Sequence, residues 1–133
     1  MTAINYTHSG RFDHAGVHLP VKNLSETLNY YTTVLGFYDE WREGDTDGGL
    51  RRDSLRLLFV EDPEHLQKIN DTGHSLNLMW FVENIKEIYR EYQAKNIHIE
   101  KQLQYYSYGL MEFSFKDING YLIRIAETGE PDE

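Results

Sequence analysis

The sequence has no cysteine and no long apolar run. Without cysteine there is no disulfide framework and no thiolate metal site, which suits a reducing compartment, so we expect a cytoplasmic protein. No apolar stretch approaches the roughly 20 residues that span a bilayer. The first ten residues also lack the basic and apolar regions of a signal peptide. The sequence therefore predicts no membrane partner.

Basic residues are scarce. Thirteen Lys and Arg residues stand against 22 Asp and Glu residues, which gives a formal charge of −9. Binding nucleic acid needs a basic face that neutralises phosphates, so we expect no nucleic-acid partner. The acidic balance would favour the approach of a cationic ligand, although it is also the ordinary condition of a soluble cytoplasmic protein.

Motifs for nucleophilic catalysis are missing. There is no serine in a G-x-S-x-G context and no glycine-rich phosphate loop. An enzyme that uses Glu112 and His18 as acid and base remains open, but no spacing argues for it.

What the chain does contain is an internal repeat. The stretch Gly16–Phe37 is an alternating apolar run, a polar break and an amphipathic helix, and the same order returns at Asn77–Asn96. Asn23 with Glu26, and Asn84 with Glu87, have the spacing of a capping box at the start of each helix. Two similar strand–helix units in 133 residues indicate a duplicated module within one domain.

Periodicity extends each copy to a helix and four strands. We predict module one over residues 11–61, a linker over 62–74 and module two over 75–127. Within the linker, residues 64–69 are predicted to form one helical turn. Turns are predicted at Asp47-Gly48-Gly49 and, as a strong hairpin signal, at residues 117–120. The predicted segments are strand 11–21, helix 24–35 and strands 37–45, 50–52 and 55–60, then strand 76–82, helix 85–95 and strands 97–103, 109–116 and 121–126. The predicted fold is α+β, with two tandem βαβββ modules whose curled mixed sheets surround a cavity.

The opening VKNLSETLNYYTTVLGF and the closing FKDINGYLIRIAE carry a family resemblance. The first resembles V-x-D-L-x-x-S-x-x-F-Y-x-x-x-L-G-F, and the second resembles D-P-D-G followed by the last strand. Both motifs are typical of the vicinal oxygen chelate superfamily, which includes glyoxalase I, extradiol dioxygenases and bleomycin-resistance proteins. The resemblance covers residues 12–127 and implies the paired-module fold, commonly completed as a homodimer.

Metal-dependent members of that superfamily gather His, Gln and Glu ligands from both modules. Carried over to this chain, three ligand positions fall on Gly16, Asn77 and Arg124, and the fourth lies near Arg56 without a firm placement. Glycine offers no ligand, an amide is a poor one, and a guanidinium cannot coordinate a cation. The resemblance therefore implies no metal and no other cofactor. His14 and His18, predicted on one strand face with Gly16, and His74 are the residues from which a relocated metal site could be built.

The non-metal branch matches better. Residues 108–113, followed by Asp117 to Arg124, resemble the W-G-M-R-E-F and D-P-D-G-x-x-x-R pattern of bleomycin-resistance-like members, which bind a ligand without changing it. Aromatic side chains would stack on an aromatic guest and polar ones would orient it. The candidate ligand-binding residues are His18, Trp41, Asn77, Tyr105, Tyr106, Tyr108, Glu112 and Arg124.

Several of these residues also have purely structural interpretations. Trp41 and Trp80 could be packing residues, and Asn77 could cap a loop. Arg124 lies in an otherwise apolar strand and needs an acidic partner if buried, for which Glu112 is the obvious candidate. Tyr105 and Tyr106 are predicted in a loop between strands.

The sequence thus predicts a metal-independent protein of the bleomycin-resistance-like type that sequesters a hydrophobic or aromatic ligand. A cationic ligand is compatible with the acidic charge. The alternative is a metal-dependent lyase, isomerase or dioxygenase with relocated ligands. A third hypothesis is a non-catalytic interaction or regulatory subunit that kept the fold and lost the site.

Overall fold

The computed structural model describes residues 9–74 and 76–129. They form two four-stranded mixed sheets and three helices, so the predicted tandem βαβββ modules are confirmed. The first module contains β1 (His18–Val21), α1 (Leu24–Thr33), β2 (Tyr38–Glu43), β3 (Asp47–Arg52) and β4 (Leu55–Glu61). The connection holds α2 (Pro63–Asp71), and the second module contains β5 (Asn77–Phe81), α3 (Ile85–Ala94), β6 (Ile99–Tyr106), β7 (Leu110–Lys116) and β8 (Leu122–Thr128).

The two sheets have the same topology. Their strand orders are β1-β4-β3-β2 and β5-β8-β7-β6, and in each sheet the first strand pairs in parallel with the last while the other pairs are antiparallel. The internal repeat seen in the sequence is therefore a repeat of the whole module.

Each sheet has one covered face and one open face. Helix α1 buries Leu24, Leu28 and Tyr31 against the first sheet. Helix α3 buries Tyr92 against Phe113 and Phe115 of the second sheet. Because side chains alternate along a strand, the neighbouring residues of the same strands point to the opposite, open faces.

At each helix start, a glutamate at the end of the module's last strand accepts a hydrogen bond from the first helical amide, Glu61 for α1 and Glu127 for α3, but the two asparagines behave differently. The Asn23 side chain accepts a hydrogen bond from the Glu26 amide at 2.8 Å, as predicted. Asn84 makes no side-chain cap and has a left-handed backbone with φ of 58°, so its predicted capping role is wrong. Instead, the Glu127 carboxylate accepts hydrogen bonds from the amides of Asn84 and Ile85, each at 3.0 Å. The end of β8 therefore caps α3.

The turn between β7 and β8 joins the modules. Asn119 accepts a hydrogen bond from the Lys22 amide and donates one to Thr27, while the Tyr31 hydroxyl donates to Asp117 at 2.6 Å. Burial raises the pKa of Asp117 above its ordinary value, although its hydrogen bonds oppose the shift. This turn, which was predicted at residues 117–120, is inserted against α1.

Several predicted boundaries were wrong. Strand β1 begins at His18, so His14 and Gly16 precede it and do not share a strand face with it. The apolar alternation that suggested a longer strand comes from exposed side chains, since Phe12 is fully exposed and Val17 is 66% exposed. Phe12 and Val17 are therefore not part of the core, and the segment before His18 is not a strand.

Other corrections concern turns and ends. The β2–β3 hairpin turns at residues 44–46, and Asp47, Gly48 and Gly49 belong to β3. Tyr105 and Tyr106 lie in β6 instead of a loop, because β6 continues to pair with β7 up to Tyr106. The predicted single helical turn in the connection is a nine-residue helix, α2. None of the helices in the described residues is long and apolar enough to cross a membrane.

Candidate functional site

An ion pair lies on the open face of the second sheet. Arg124 in β8 donates from Nε to Glu112 Oε2 at 2.7 Å and from Nη2 to Glu112 Oε1 at 2.9 Å. The Glu112 side chain is only 6% exposed, and that of Arg124 is 29% exposed. The acidic partner expected for Arg124 is therefore Glu112.

Two tyrosines extend this ion pair into an aromatic surface. The Tyr108 hydroxyl donates to Glu112 at 2.8 Å, and Arg124 also contacts that hydroxyl at 3.3 Å. The Tyr106 and Tyr108 rings are stacked with their centroids 5.3 Å apart. Tyr108 is 56% exposed. The result is a flat aromatic platform beside a fixed charge pair, which is suited to stacking against a planar guest.

The electrostatics of Glu112 follow from its partners. Burial alone would raise the pKa of this carboxyl, but the hydrogen bonds from Arg124 and Tyr108 outweigh burial and hold the pKa below its ordinary value. Glu112 is therefore a carboxylate with both oxygens already engaged, which makes it a poor general acid at neutral pH.

The other two predicted residues of this module lie elsewhere. Tyr105 pairs with Met111, so it points to the α3 side of the sheet, away from Tyr106 and Tyr108. Asn77 is exposed in β5, on the same open face as Arg124 but at the edge strand next to the first module. The structure thus brings together Tyr106, Tyr108, Glu112 and Arg124 and leaves Tyr105 out of that group.

His18 and Trp41 lie on the open face of the first sheet. The register places His18, Leu58, Gly49 and Trp41 in one row across the four strands, with His18 and Trp41 at opposite ends. A Cβ on Gly49 would lie 2.9 Å from the Trp41 indole nitrogen and would collide with the Leu57 carbonyl. Glycine is therefore required for the indole to lie close to the sheet.

The open faces also carry residues that sequence analysis did not select. Arg56 is exposed in β4, and Phe81 in β5 is 64% exposed. The signal for Arg56 was available, because a single arginine between Leu55 and Leu57 breaks an apolar strand in the way that drew attention to Arg124.

A hollow of about 350 Å³ lies at the junction of the modules, near β1 and β5. Val17 and Arg56 line it from the first module, and Asn77 and Met79 line it from the second. Both modules therefore contribute to this hollow.

A family model of the glyoxalase/bleomycin resistance protein/dioxygenase superfamily matches residues 11–125. The chain belongs to this superfamily. A search of curated proteins finds no match.

Several solved structures have the same fold as this chain. A bleomycin resistance determinant encoded on the transposon Tn5 has a TM-score of 0.74 and 20% identity, and the alignment covers 90% of this chain and 100% of that one. A bleomycin-binding protein complexed with bleomycin has a TM-score of 0.73 and 20% identity, with coverages of 89% and 100%. TioX from Micromonospora sp. ML1 has a TM-score of 0.73 and 15% identity, with the same coverages. At these identities the likeness shows the fold alone.

The residues at the superfamily's metal-ligand positions do not fit a metal ion. Gly16 has no side chain to offer, Asn77 offers only an amide, and Arg124 brings a positive charge bonded to Glu112. Within residues 9–74 and 76–129, no three His, Asp or Glu side chains lie close enough together to hold an ion. We therefore derive no metal-dependent step for this chain.

Proposed function

We propose that this protein is a metal-independent binding protein of the bleomycin-resistance-like type, which sequesters a hydrophobic or aromatic small molecule without changing it. The observation that carries the proposal is the stacked Tyr106–Tyr108 pair beside the Glu112–Arg124 ion pair on an uncovered sheet face. A platform of this kind offers a guest π-stacking and hydrogen bonding but no free acid, base or nucleophile.

The relation to bleomycin-binding structures gives the first compound to test. Bleomycin, a neutral aromatic compound and a cationic aromatic compound would each be titrated against the intrinsic fluorescence of the protein. We expect saturable binding of at least one of them, and loss of one stacked ring in Tyr108→Leu should weaken it about fivefold to tenfold.

Tyr105→Leu is the matched control. It removes the same type of side chain from the neighbouring strand, but from the α3 side of the sheet. It should bind the ligand as the unchanged protein does. If Tyr105→Leu and Tyr108→Leu weakened ligand binding equally, Tyr106 and Tyr108 would not be the ligand-binding surface. If none of the compounds bound saturably, the result would favour an interaction subunit that binds no small molecule.

We further propose that two copies assemble into a dimer through the open side of the molecule. Apart from the aromatic side chains assigned to ligand binding, large apolar side chains are exposed there and on the preceding segments, where single copies would leave them in water: Phe12, Val17, Leu76 and Phe81. Light scattering coupled to size exclusion should give twice the mass of one 15.7 kDa chain. A mass of one chain at micromolar concentration would contradict the dimer.

A further inference from the structure

The strongest unexplained feature is a pair of arginines that face each other on the open face of the first sheet. Arg51 in β3 and Arg56 in β4 are directly opposed in the antiparallel register. Like charges in that arrangement repel, so the pair is unfavourable unless something neutralises it.

Among the residues that the structure describes, only one of the two arginines has a partner that neutralises it. Arg51 donates to Asp39 at 2.8 Å and to the Asp53 carbonyl at 3.0 Å, and its guanidinium lies over the Tyr38 ring. Arg56 has no ion-pair or hydrogen-bond partner in the described part of the chain. Its guanidinium therefore keeps its full capacity to bind an anion.

The surroundings of Arg56 form a hollow of about 130 Å³. Its wall includes Trp41, which is 41% exposed, together with Leu58, His14 and the Arg51–Asp39 pair. An enclosed cavity of about 150 Å³ holds a benzene molecule, so this slightly smaller hollow, which opens to solvent, is close to the size of one aromatic ring.

Two glycines let the walls of the hollow take their positions. A Cβ on Gly16 would come within 2.6 Å of Leu58 Cδ1, so any other residue there would displace the wall. Gly49 lies between Trp41 and Leu58 in the row across the sheet, and the Trp41 indole occupies the space where a Cβ on Gly49 would be, so this glycine lets the indole form its wall of the hollow. The space beside Arg56 is thus bounded by an indole and a leucine and has room for a ring.

We propose that this hollow is a subsite for a small aromatic carboxylate, in which Arg56 binds the carboxylate and Trp41 contacts the ring. The inference rests on the proposed small-molecule binding function and specifies the charge of one part of the ligand. It runs against the net charge of −9, which would favour a cationic guest. The nearby Arg56 guanidinium nevertheless favours an anionic group in this hollow. Its direct contact with a carboxylate is stronger than the repulsion from distant acidic side chains, because salt screens charges that are far apart.

Three probes of one ring each test the inference: benzoate, benzamide and benzylammonium. The full chain labelled with ¹⁵N has two tryptophans, so it gives two indole N–H signals. Trp41 lines the hollow, whereas Trp80 is 6% exposed and lies outside it. We expect benzoate to shift the Trp41 signal saturably and to leave the Trp80 signal in place. Benzamide and benzylammonium should bind at least about tenfold more weakly.

Variants separate the local effect from the overall charge. Arg56→Gln should weaken benzoate binding about tenfold, because it removes a charge-assisted hydrogen bond. It should keep the fold, since Arg56 is exposed and its removal relieves the repulsion from Arg51. Arg90→Gln changes the net charge equally from the exposed surface of α3, and it should bind benzoate within twofold of the unchanged protein.

The outcomes distinguish this inference from the proposed function. Equal shifts of Trp41 with all three probes, or unchanged benzoate binding in Arg56→Gln, would overturn the carboxylate subsite while aromatic binding stands. No Trp41 shift with any probe would also overturn it, and the Tyr108 titrations would then decide the proposed function on their own.

Discussion

At the scale of single residues, the Glu112–Arg124 pair should be sensitive to substitution, because Glu112 is nearly buried and both of its oxygens bond to Arg124. Arg124→Ala would leave a nearly buried carboxylate with Tyr108 as its one remaining side-chain hydrogen-bond donor among the described residues. We expect it to lower the free energy of unfolding by about 2 kcal/mol, measured by urea denaturation, and to weaken ligand binding. Arg90→Ala on exposed α3 should change stability by less than about 0.5 kcal/mol. Wild-type stability and binding in Arg124→Ala would contradict this role.

The same pair predicts a pH dependence. Because the pKa of Glu112 is lower in the folded protein than its ordinary value of 4.5, the ionised carboxylate adds stability that is fully present above pH 4.5. That stability is lost as the pH falls through the folded-state pKa. The unchanged protein should therefore be more stable than Glu112→Gln at pH 7, and the difference should shrink below pH 4.5. A difference that stays constant down to pH 3 would show that charge is not its cause.

Residue-scale prediction from sequence succeeded where one side chain had few acceptable partners. A lone arginine in the apolar strand β8 required a carboxylate, and Glu112 on the paired strand β7 was the nearest one. The prediction was less accurate for Tyr105 and Tyr106, which were both expected in a loop. They are adjacent residues of β6 and face opposite sides of the sheet, so only Tyr106 can stack on Tyr108.

At the scale of elements, the start of α3 depends on a residue that is distant in sequence. Glu127→Ala would remove both hydrogen bonds to the amides at the first turn, and we expect a loss of about 1–2 kcal/mol in the free energy of unfolding. Thermal and urea denaturation would measure it. Glu83→Ala removes an exposed carboxylate beside the same turn and should have little effect. If both variants lost a similar free energy of unfolding, the cause would be the removal of a negative charge near the helix start and not the loss of the cap.

Sequence predicted the order of elements because periodicity and turn residues are local signals. It failed for the cap of α3, since the Asn84–Glu87 spacing is that of a capping box but the carboxylate of Glu127 occupies the cap position. It also misplaced the β2–β3 turn. Gly48 and Gly49 resemble a turn, yet they are needed within β3 because Trp41 and the α1 leucines pack against them.

At the scale of the whole molecule, the proposed function predicts indifference to metal removal. Gly16, Asn77 and Arg124 supply no set of anionic ligands. EDTA should therefore leave the melting temperature and ligand affinity unchanged, and elemental mass spectrometry of untagged protein grown with Mn, Fe, Co, Ni and Zn should find far less than one ion per chain. About one ion per chain, together with a lower melting temperature in EDTA, would revive the metal-dependent alternative.

The two modules should also unfold as one unit, because their junction is both apolar and polar. Trp80 of the second module packs against Tyr31 and Phe37 of the first, and Asn119 bonds to Thr27 and the Lys22 amide. Separating the modules would expose these rings and break these hydrogen bonds at the same time. The two modules therefore share part of their core and should unfold cooperatively.

Single-tryptophan variants test this cooperativity. Trp80→Phe leaves Trp41 as a reporter within the first module, and Trp41→Phe leaves Trp80 as a reporter at the junction. In each variant, fluorescence and far-UV circular dichroism should give coincident urea transitions. Asn119→Ala, added to either background, should lower the free energy of unfolding by about 2 kcal/mol and shift both transitions together, since it removes two hydrogen bonds between the modules. A Trp41 transition that precedes the loss of secondary structure would show that the first module unfolds alone and that the junction does not couple the two halves.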